Sequence, residues 1–340
     1  MIASPLEAHL VDRIAALPDV EVLFAPALLP ATRYPSDHRG VDGFSRDAAG
    51  EARWNELLAD AEVFFGVPGD TGPTLAAAIA RAPALRWVQG TAAGAGEQVR
   101  YARLAPADLE RITFTSAAGI HGGMLAEFAF HGLLALRKDA VRLERIRAAR
   151  SWEHFAMDEL YGSTIAVVGM GGIGAAVAQR ARAFGMHVIG VARTAHPNPL
   201  VDETVAIDAA ADAYRRADTI VVTLPGTEST RGLIDRATIE SWKPSMVFIN
   251  VGRGSVVDEA ALIDALTAGS IRGAVLDVFE AEPLPPDNPL WTLSNVVFSP
   301  HTAALSIREN QRIVDLFCDN VRRYAAGEQL RNVVNVKEFY

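Results

Sequence analysis

Three side chains of this sequence have the types needed for acid–base work on a small acid, and each follows an apolar run. Arg253 stands in Asn250-Val251-Gly252-Arg253-Gly254, at the end of the strand pattern from Met246 to Val251. Glu282 closes Asp277-Val278-Phe279-Glu280-Ala281-Glu282 after the run from Gly273 to Val278, and His301 follows Ser299-Pro300. A guanidinium at a strand terminus can hold a carboxylate by two parallel hydrogen bonds and so orient a small acid. Taken alone, Arg253 reads equally well as a solvated surface charge. Histidine titrates near neutral pH, and a neighbouring carboxylate favours the imidazolium. Asp277, Glu280 and Glu282 bring three carboxylates to the end of the preceding run, and a pair of His301 with a neighbouring carboxylate would give a proton to a carbonyl and retrieve it in the reverse direction. A single histidine near a strand end is more often structural, but Arg253, Glu282 and His301 at successive strand ends of one sheet point to a site.

A second kind of chemistry is written in Thr164 to Gly174, TIAVVGMGGIG. An apolar β run enters Gly169-x-Gly171-x-x-Gly174, and an alanine-rich helix pattern follows at once. With Gly172 and Ile173 opening the helix, this is the strand, tight turn and helix start that a dinucleotide pyrophosphate needs. An acidic residue about 20 positions on usually accepts the adenosine ribose hydroxyls. Here the next strand runs Val188-Ile189-Gly190-Val191-Ala192-Arg193-Thr194, with Ala192 in the acidic place and Arg193 after it. An arginine there can pair with a 2′-phosphate. NADP(H) is favoured, with NAD(H) the alternative if Arg193 is only a solvated charge.

The elements that must position these groups alternate between β and α. Helical spacing of Leu6, Leu10, Ile14 and Leu17 precedes a strand pattern VEVLF at Val20 to Phe24. Further strands are expected at Val63 to Gly66, Leu85 to Gln89 and Ile112 to Ser116, with a helix from Thr74 to Arg81 and a polar surface loop from Pro30 to Gly50. Strands separated by helical patterns imply a parallel sheet with crossover helices. The loops Gly66 to Gly72 and Gly90 to Gly96 (GTAAGAG) lie beyond strand ends, where open sheets bind ligands. The second is small enough for N–H groups to approach an anion, although a flexible turn has the same composition. The run GGMLAEFAFHGLLALRKDAVRL reads as one long connecting helix. Beyond the glycine turn, strands are expected at Met186 to Val191, Thr219 to Leu224, Met246 to Val251, Gly273 to Val278 and Val296 to Ser299. Asp235 and Asp258 are N-cap residues, Gly185 is a C-cap, and a last helix from Leu305 to Ala326 leads back to the first part.

At 340 residues the chain is long enough for about two domains. A net charge of −9 without a block of Lys or Arg argues against a nucleic-acid partner. The single Cys318 leaves neither a disulfide framework nor a cysteine metal cluster, so no metal is expected. No basic-then-apolar leader and no apolar run of bilayer length is present, which gives the expectation of a cytoplasmic protein with no membrane partner.

The chain resembles the D-isomer-specific 2-hydroxyacid dehydrogenase family over nearly its whole length. The residues that carry the resemblance are Val168-Gly169-Met170-Gly171-Gly172-Ile173-Gly174 and Thr223-Leu224-Pro225-x-Thr227-x-x-Thr230-x-Gly232-Leu233-Ile234. They continue through Asn250-Val251-Gly252-Arg253-Gly254-x-x-Val257-Asp258-Glu259, Asp277-Val278-Phe279-x-x-Glu282-Pro283-Leu284-Pro285 and Pro300-His301. The resemblance implies an α/β fold of two doubly wound parallel-sheet domains, a Rossmann cofactor domain (119–306, with the interdomain helix) inserted in a flavodoxin-like substrate domain (1–118 plus 307–340). It implies that Arg253 anchors the substrate's carboxylate and carbonyl. Glu282 would raise the pKa of the catalytic His301, and Asp277 would lie beside the nicotinamide. Ala93, Gly94 and Ala95 match the small-residue loop that binds the acid through N–H groups. Leu224, Pro225, Thr230, Val251 and Gly252 fall in the motifs that border the cofactor with Gly169 to Gly174. A homodimer acting on a small 2-oxoacid or 2-hydroxyacid is implied, and Arg193-Thr194 resembles the glyoxylate and hydroxypyruvate reductase branch. The rival from another class is an NAD(H)-sensing co-regulator on the same scaffold, which would bind cofactor without turnover.

Overall fold

Short β-forming runs separated by amphipathic helices build two parallel sheets, and each sheet has its own core. The structure is a computed structural model that describes residues 1–339, and the chain packs as two units, Met1–His121 with Leu305–Tyr340 and Gly122–Ala304.

In the first unit β1 (Val63–Phe65), β2 (Trp87–Gln89) and β3 (Thr113–Thr115) pair in parallel, with Val63 opposite Trp87 and Trp87 opposite Thr113. Helices α1 (Ala8–Ala15), α2 (Ala48–Asp60), α3 (Gly72–Ile79), α4 (Ala95–Ala102), α5 (Pro106–Arg111) and α12 (Glu309–Ala325) cover the two faces. Phe64, Leu75 and Val88 fill one side. Phe65, Trp87 and Phe317 fill the other, with the Phe317 ring 5.1 Å from each of the first two. The sequence pattern at Val20 to Phe24 does not become a strand. Its neighbour is the three-residue run Met1 to Ala3, which itself makes only a bridge from Ile2 to Phe65, so one bond, Ile2 N–H to Leu23 O (2.9 Å), ties the segment in. The polar stretch 30–50 is also less superficial than its composition implies. Ser36 and Asp37 are buried, and Arg33 donates to Asp37 at 2.8 and 2.9 Å and holds its carboxyl well below the usual carboxylate range. α2 begins at Ala48, capped by Asp47, whose carboxylate accepts from Gly50 N–H.

The second unit holds seven parallel strands, β4 (Thr164–Val168), β5 (His187–Ala192), β6 (Glu203–Ala206), β7 (Thr219–Val222), β8 (Val247–Asn250), β9 (Gly273–Leu276) and β10 (Val296–Phe298). Their order is β10-β9-β8-β7-β4-β5-β6, so the sheet reverses its winding between β7 and β5, on either side of β4. Residues alternate between two buried faces, as an inner parallel sheet requires. Ile165, Val167, Val221, Ile249 and Val275 meet α6 (Gly122–Arg137) and α8 (Gly172–Ala183). Ala166, Val168, Ile220, Val222 and Phe248 meet the layer of α9 (Ala211–Arg216), α10 (Arg236–Glu240) and α11 (Glu259–Ala268). Asp235 and Asp258 cap α10 and α11 as expected, accepting from Thr238 N–H and Ala261 N–H. The long connecting helix is in fact two helices. α6 ends at Arg137, Asp139 takes a left-handed φ of 54°, and its side chain caps α7 (Ala140–Ala148) through Arg142 N–H. A capping aspartate in an otherwise helical run offers the backbone a competing bond, and here it wins.

Because every strand of the second sheet is parallel, all carboxyl ends fall on one edge. The winding reverses at β4, which is where open α/β sheets bind ligands. Among the described residues, no helix is long and apolar enough to cross a membrane, and no group of three or more His, Cys, Asp or Glu is placed to hold a metal ion.

Candidate active site

The glycine turn sits at the end of β4. Gly169 has φ of 101°, a left-handed conformation that favours glycine, and Thr223 donates its hydroxyl to Gly169 O at 2.8 Å. A Cβ on Gly174 would stand 1.9 Å from Gly169 O, so only glycine lets α8 start this close to the turn. Gly171 is the N-cap of α8 and has nothing within 4 Å of where its Cβ would be. The first-turn N–H groups, those of Gly172, Ile173 and Gly174, have no intrahelical acceptor and carry the positive end of the helix dipole. A pyrophosphate fits this open, donor-rich cradle.

The remaining residues expected at the cofactor line the same edge. Arg193 and Thr194 are exposed directly after β5. After β7, Thr230 donates its hydroxyl to Pro225 O at 2.7 Å and accepts Thr227 N–H at 2.9 Å, which fixes the loop that carries Leu224 and Pro225. Val251 and Gly252 are buried after β8, where a Cβ on Gly252 would lie 2.6 Å from Leu224 O. The two loops thus touch backbone to backbone.

Arg253, Asp277, Glu282 and His301 come from the ends of β8, β9 and β10, adjacent strands of the sheet. Asn250 braces the arginine turn, accepting from Gly252 N–H and donating to Arg253 O, both at 3.0 Å. Arg253 turns one Nη1–H onto Gly252 O at 2.8 Å. Asp277 is buried and acts as a clamp, for its Oδ1 accepts from the Ser299 hydroxyl and from Ala303 N–H, and its carbonyl accepts from His301 N–H. His301 has φ of 53°, which turns its ring off the line of β10. Its Nδ1 lies 2.7 Å from Glu282 Oε2, while Glu282 Oε1 accepts Phe279 N–H at 3.0 Å. The bond to Glu282 raises the His301 pKa above its ordinary value against the opposing effect of burial. Burial pushes Glu282 up, but the bonds from His301 and Phe279 outweigh it and hold the carboxylate below its usual range. The arrangement is an imidazole with Nε2 free for a reacting oxygen and Nδ1 committed to a carboxylate. Asn250 and Ser299 are absent from the sequence-based set of site residues, although both lie inside the motifs that carry it.

Ala93 to Ala95 belong to the first unit. Ala93 is exposed and Gly94 is the N-cap of α4, but Ala95 is already the first helical residue and is 3% exposed. The small residues there answer a packing need, since a Cβ on Gly90 would meet Ala95 Cβ at 2.4 Å. The first N–H groups of α4 have no acceptor within the helix.

Comparison with known proteins gives concordant likenesses. Residues 130–303 match the family model described as D-isomer specific 2-hydroxyacid dehydrogenase, NAD binding domain. The glyoxylate reductase of Korarchaeum cryptofilum is 36% identical over 233 residues, 66% of this chain and 69% of that protein. The D-3-phosphoglycerate dehydrogenase of Mycobacterium tuberculosis is 34% identical over 315 residues, 92% of this chain but 57% of its own length. Among solved structures, the NADPH-dependent glyoxylate/hydroxypyruvate reductase of Sinorhizobium meliloti, in complex with NADP and sulfate, aligns with a TM-score of 0.71 and 27% identity. That alignment covers 83% of this chain and 87% of that one.

Proposed function

This chain belongs to the D-isomer specific 2-hydroxyacid dehydrogenase family, and from that premise we propose that it reduces a small 2-oxoacid of the glyoxylate and hydroxypyruvate class to the D-2-hydroxyacid with NADPH, or runs the reverse oxidation. The observation that carries the reading is the 2.7 Å contact between His301 Nδ1 and Glu282 Oε2 at the carboxyl edge of the cofactor-binding sheet. Arg253 holds the substrate's carboxylate and carbonyl, and the small-residue motif at Ala93 to Ala95 supports a role for that loop in binding the acid. Bound nicotinamide supplies the hydride. As negative charge develops on the carbonyl oxygen, His301 delivers the Nε2 proton to it, and Glu282 stabilises the imidazolium that precedes transfer. Asp277, clamped by Ser299 and Ala303, keeps the backbone that carries His301 in register. The assay is a panel of glyoxylate, hydroxypyruvate, pyruvate, phenylpyruvate and 3-phosphohydroxypyruvate with NADPH and NADH in parallel. Reduction of none of them sinks the proposal. The same reading takes the working form to be a cytoplasmic homodimer, and a monomeric mass by light scattering would overturn that part.

The cofactor preference rests on Arg193. It stands exposed at the end of β5, beside Ala192 in the place where a carboxylate would repel a 2′-phosphate. Arg193→Ala is expected to raise the KM for NADPH by about tenfold, the worth of one charge-assisted hydrogen bond, with the KM for NADH little changed. Equal effects on both cofactors would remove Arg193 from the adenine end.

A further inference from the structure

The loop that carries Glu282 starts where β9 ends, and its composition gives it few means of holding itself. It has prolines at 283, 285, 286 and 289, none of which has an N–H to donate. Its two ends are gathered instead by one side chain from another element, Glu259, the first residue of α11. Glu259 Oε2 accepts from Glu280 N–H at 2.8 Å, and its Oε1 accepts from Asn288 Nδ2 at 3.3 Å. One carboxylate therefore closes the chain from Glu280 to Asn288 into a ring, and Glu282 stands inside it.

All of these groups belong to the second unit, and beyond Asn288 the loop is fastened to the strand that leads to His301. Asn288 Oδ1 accepts from Leu290 N–H at 2.9 Å, and its own N–H donates to Pro285 O at 3.0 Å. Trp291 donates its Nε1–H to the same Pro285 O at 2.8 Å and sets its ring edge-on to Phe298, the last residue of β10, with 5.0 Å between centroids. Glu282 itself is held by His301 Nδ1 at Oε2 and by Phe279 N–H at Oε1. Phe279 directly precedes Glu280, so the main chain that aims Glu282 is pinned by Glu259 one residue further on.

Resting on the functional reading above, we propose that Glu259 is a positioning residue for the general acid, fixing the loop from Glu280 to Asn288 so that Glu282 Oε2 meets His301 Nδ1. Glu259 touches neither of those two atoms. What it supplies is a pair of ionised acceptors, each stronger than a neutral one, at the two ends of a proline-rich loop. The charges that act on His301 come from Glu282, Asp277 and Arg253. A change at Glu259 or Asn288 therefore reaches the histidine through the loop.

The test is the pH profile of kcat for the 2-oxoacid that the wild type reduces fastest, measured in Glu259→Asp and in Asn288→Ser, each made in the wild-type chain and in Glu282→Gln. Aspartate keeps the charge but is one methylene shorter, so it meets one donor at a time. Serine keeps an oxygen for Leu290 N–H and loses the donor to Glu259. Either change is expected to cut kcat about tenfold, short of the roughly 10²-fold cost of a 1 Å displacement because Phe279 N–H still holds Glu282. Either is also expected to move the falling limb of the reduction profile to lower pH. In the Glu282→Gln chain neither should move the limb further, since the carboxylate that the loop aims at His301 is already gone. A limb that stays in place in both variants, or that moves as far in Glu282→Gln as in the wild-type chain, overturns this inference and leaves the functional reading standing. A wild type that reduces no 2-oxoacid overturns the functional reading, and this inference with it.

Discussion

His301→Gln is expected to lower kcat for 2-oxoacid reduction by about 10²- to 10⁴-fold, the range over which a positioned general acid acts, while the dissociation constant of NADPH stays near its wild-type value. Glutamine keeps a hydrogen bond to Glu282 but has no proton to transfer. The cofactor cradle at Gly169 to Gly174 lies at the end of β4, whereas His301 follows β10 at the far side of the sheet, so cofactor affinity reports separately from chemistry. Steady-state rates at saturating NADPH and a fluorescence titration of the cofactor provide both numbers. A kcat within tenfold of wild type would falsify the assignment of His301 as the acid.

The same pair fixes a pH dependence. Glu282 raises the His301 pKa above its ordinary value, so the reducing form, with His301 protonated, is present at low pH and is lost as pH rises through the raised pKa. The oxidation direction needs neutral imidazole and gains over the same interval. Glu282→Gln removes the largest cause of the raised value and leaves burial, which opposes it, so the falling limb of the reduction profile should move to lower pH. Identical limbs in wild type and variant would separate the profile from this pair.

Much of the site was legible in the sequence because the groups concerned stand at strand ends, and parallel strands with crossover helices put all their carboxyl ends on one edge. Arg253, Asp277, Glu282 and His301 needed only that rule to be gathered. The pairing of Nδ1 with Oε2 did not follow from it. The turn from Phe279 to Glu282 and the left-handed backbone at His301 bring the two groups together, and neither is written in an apolar period. Where the reading failed, a local contest decided. Val20 to Phe24 has strand composition, but the run its backbone bonds to among the described residues, Met1 to Ala3, is too short to pair with it along its length. β6 (Glu203–Ala206) carries no strand signal in the sequence, because its residues, Glu203-Thr204-Val205-Ala206, are all half-buried and show no clean alternation. Asp139 broke a helix whose apolar spacing continues past it. Ala95 stands in a row of small residues that has the composition of a turn, whereas it is the first residue of α4 and lies close against Gly90.

Gly254→Ala is expected to cost about 10²-fold in kcat/KM without altering any side chain that meets substrate, the usual consequence of displacing a reacting group by about 1 Å. Gly254 does not require glycine for its backbone angles. It requires glycine for room, because a Cβ there would stand 1.9 Å from Phe279 O, 2.0 Å from Phe279 C and 2.5 Å from Glu280 N. Those are main-chain atoms, which cannot swing aside as the tip of a long side chain would, so the turn after β8 and the turn after β9 must part. The first carries Arg253. The second carries Phe279 N–H, which fixes Glu282 Oε1 at 3.0 Å and through Glu282 the orientation of His301. Overpacking of this kind costs about 1–3 kcal/mol of stability as well, so the activity must be measured well below the variant's melting temperature. Gly123→Ala is the matched control, since the nearest atom to its Cβ is the flexible end of Arg180 at 3.8 Å. If Gly254→Ala keeps wild-type kcat/KM, then the spacing of Arg253 from the Glu282–His301 pair is not set by contact between these two turns, and the arginine must reach its substrate by side-chain flexibility instead.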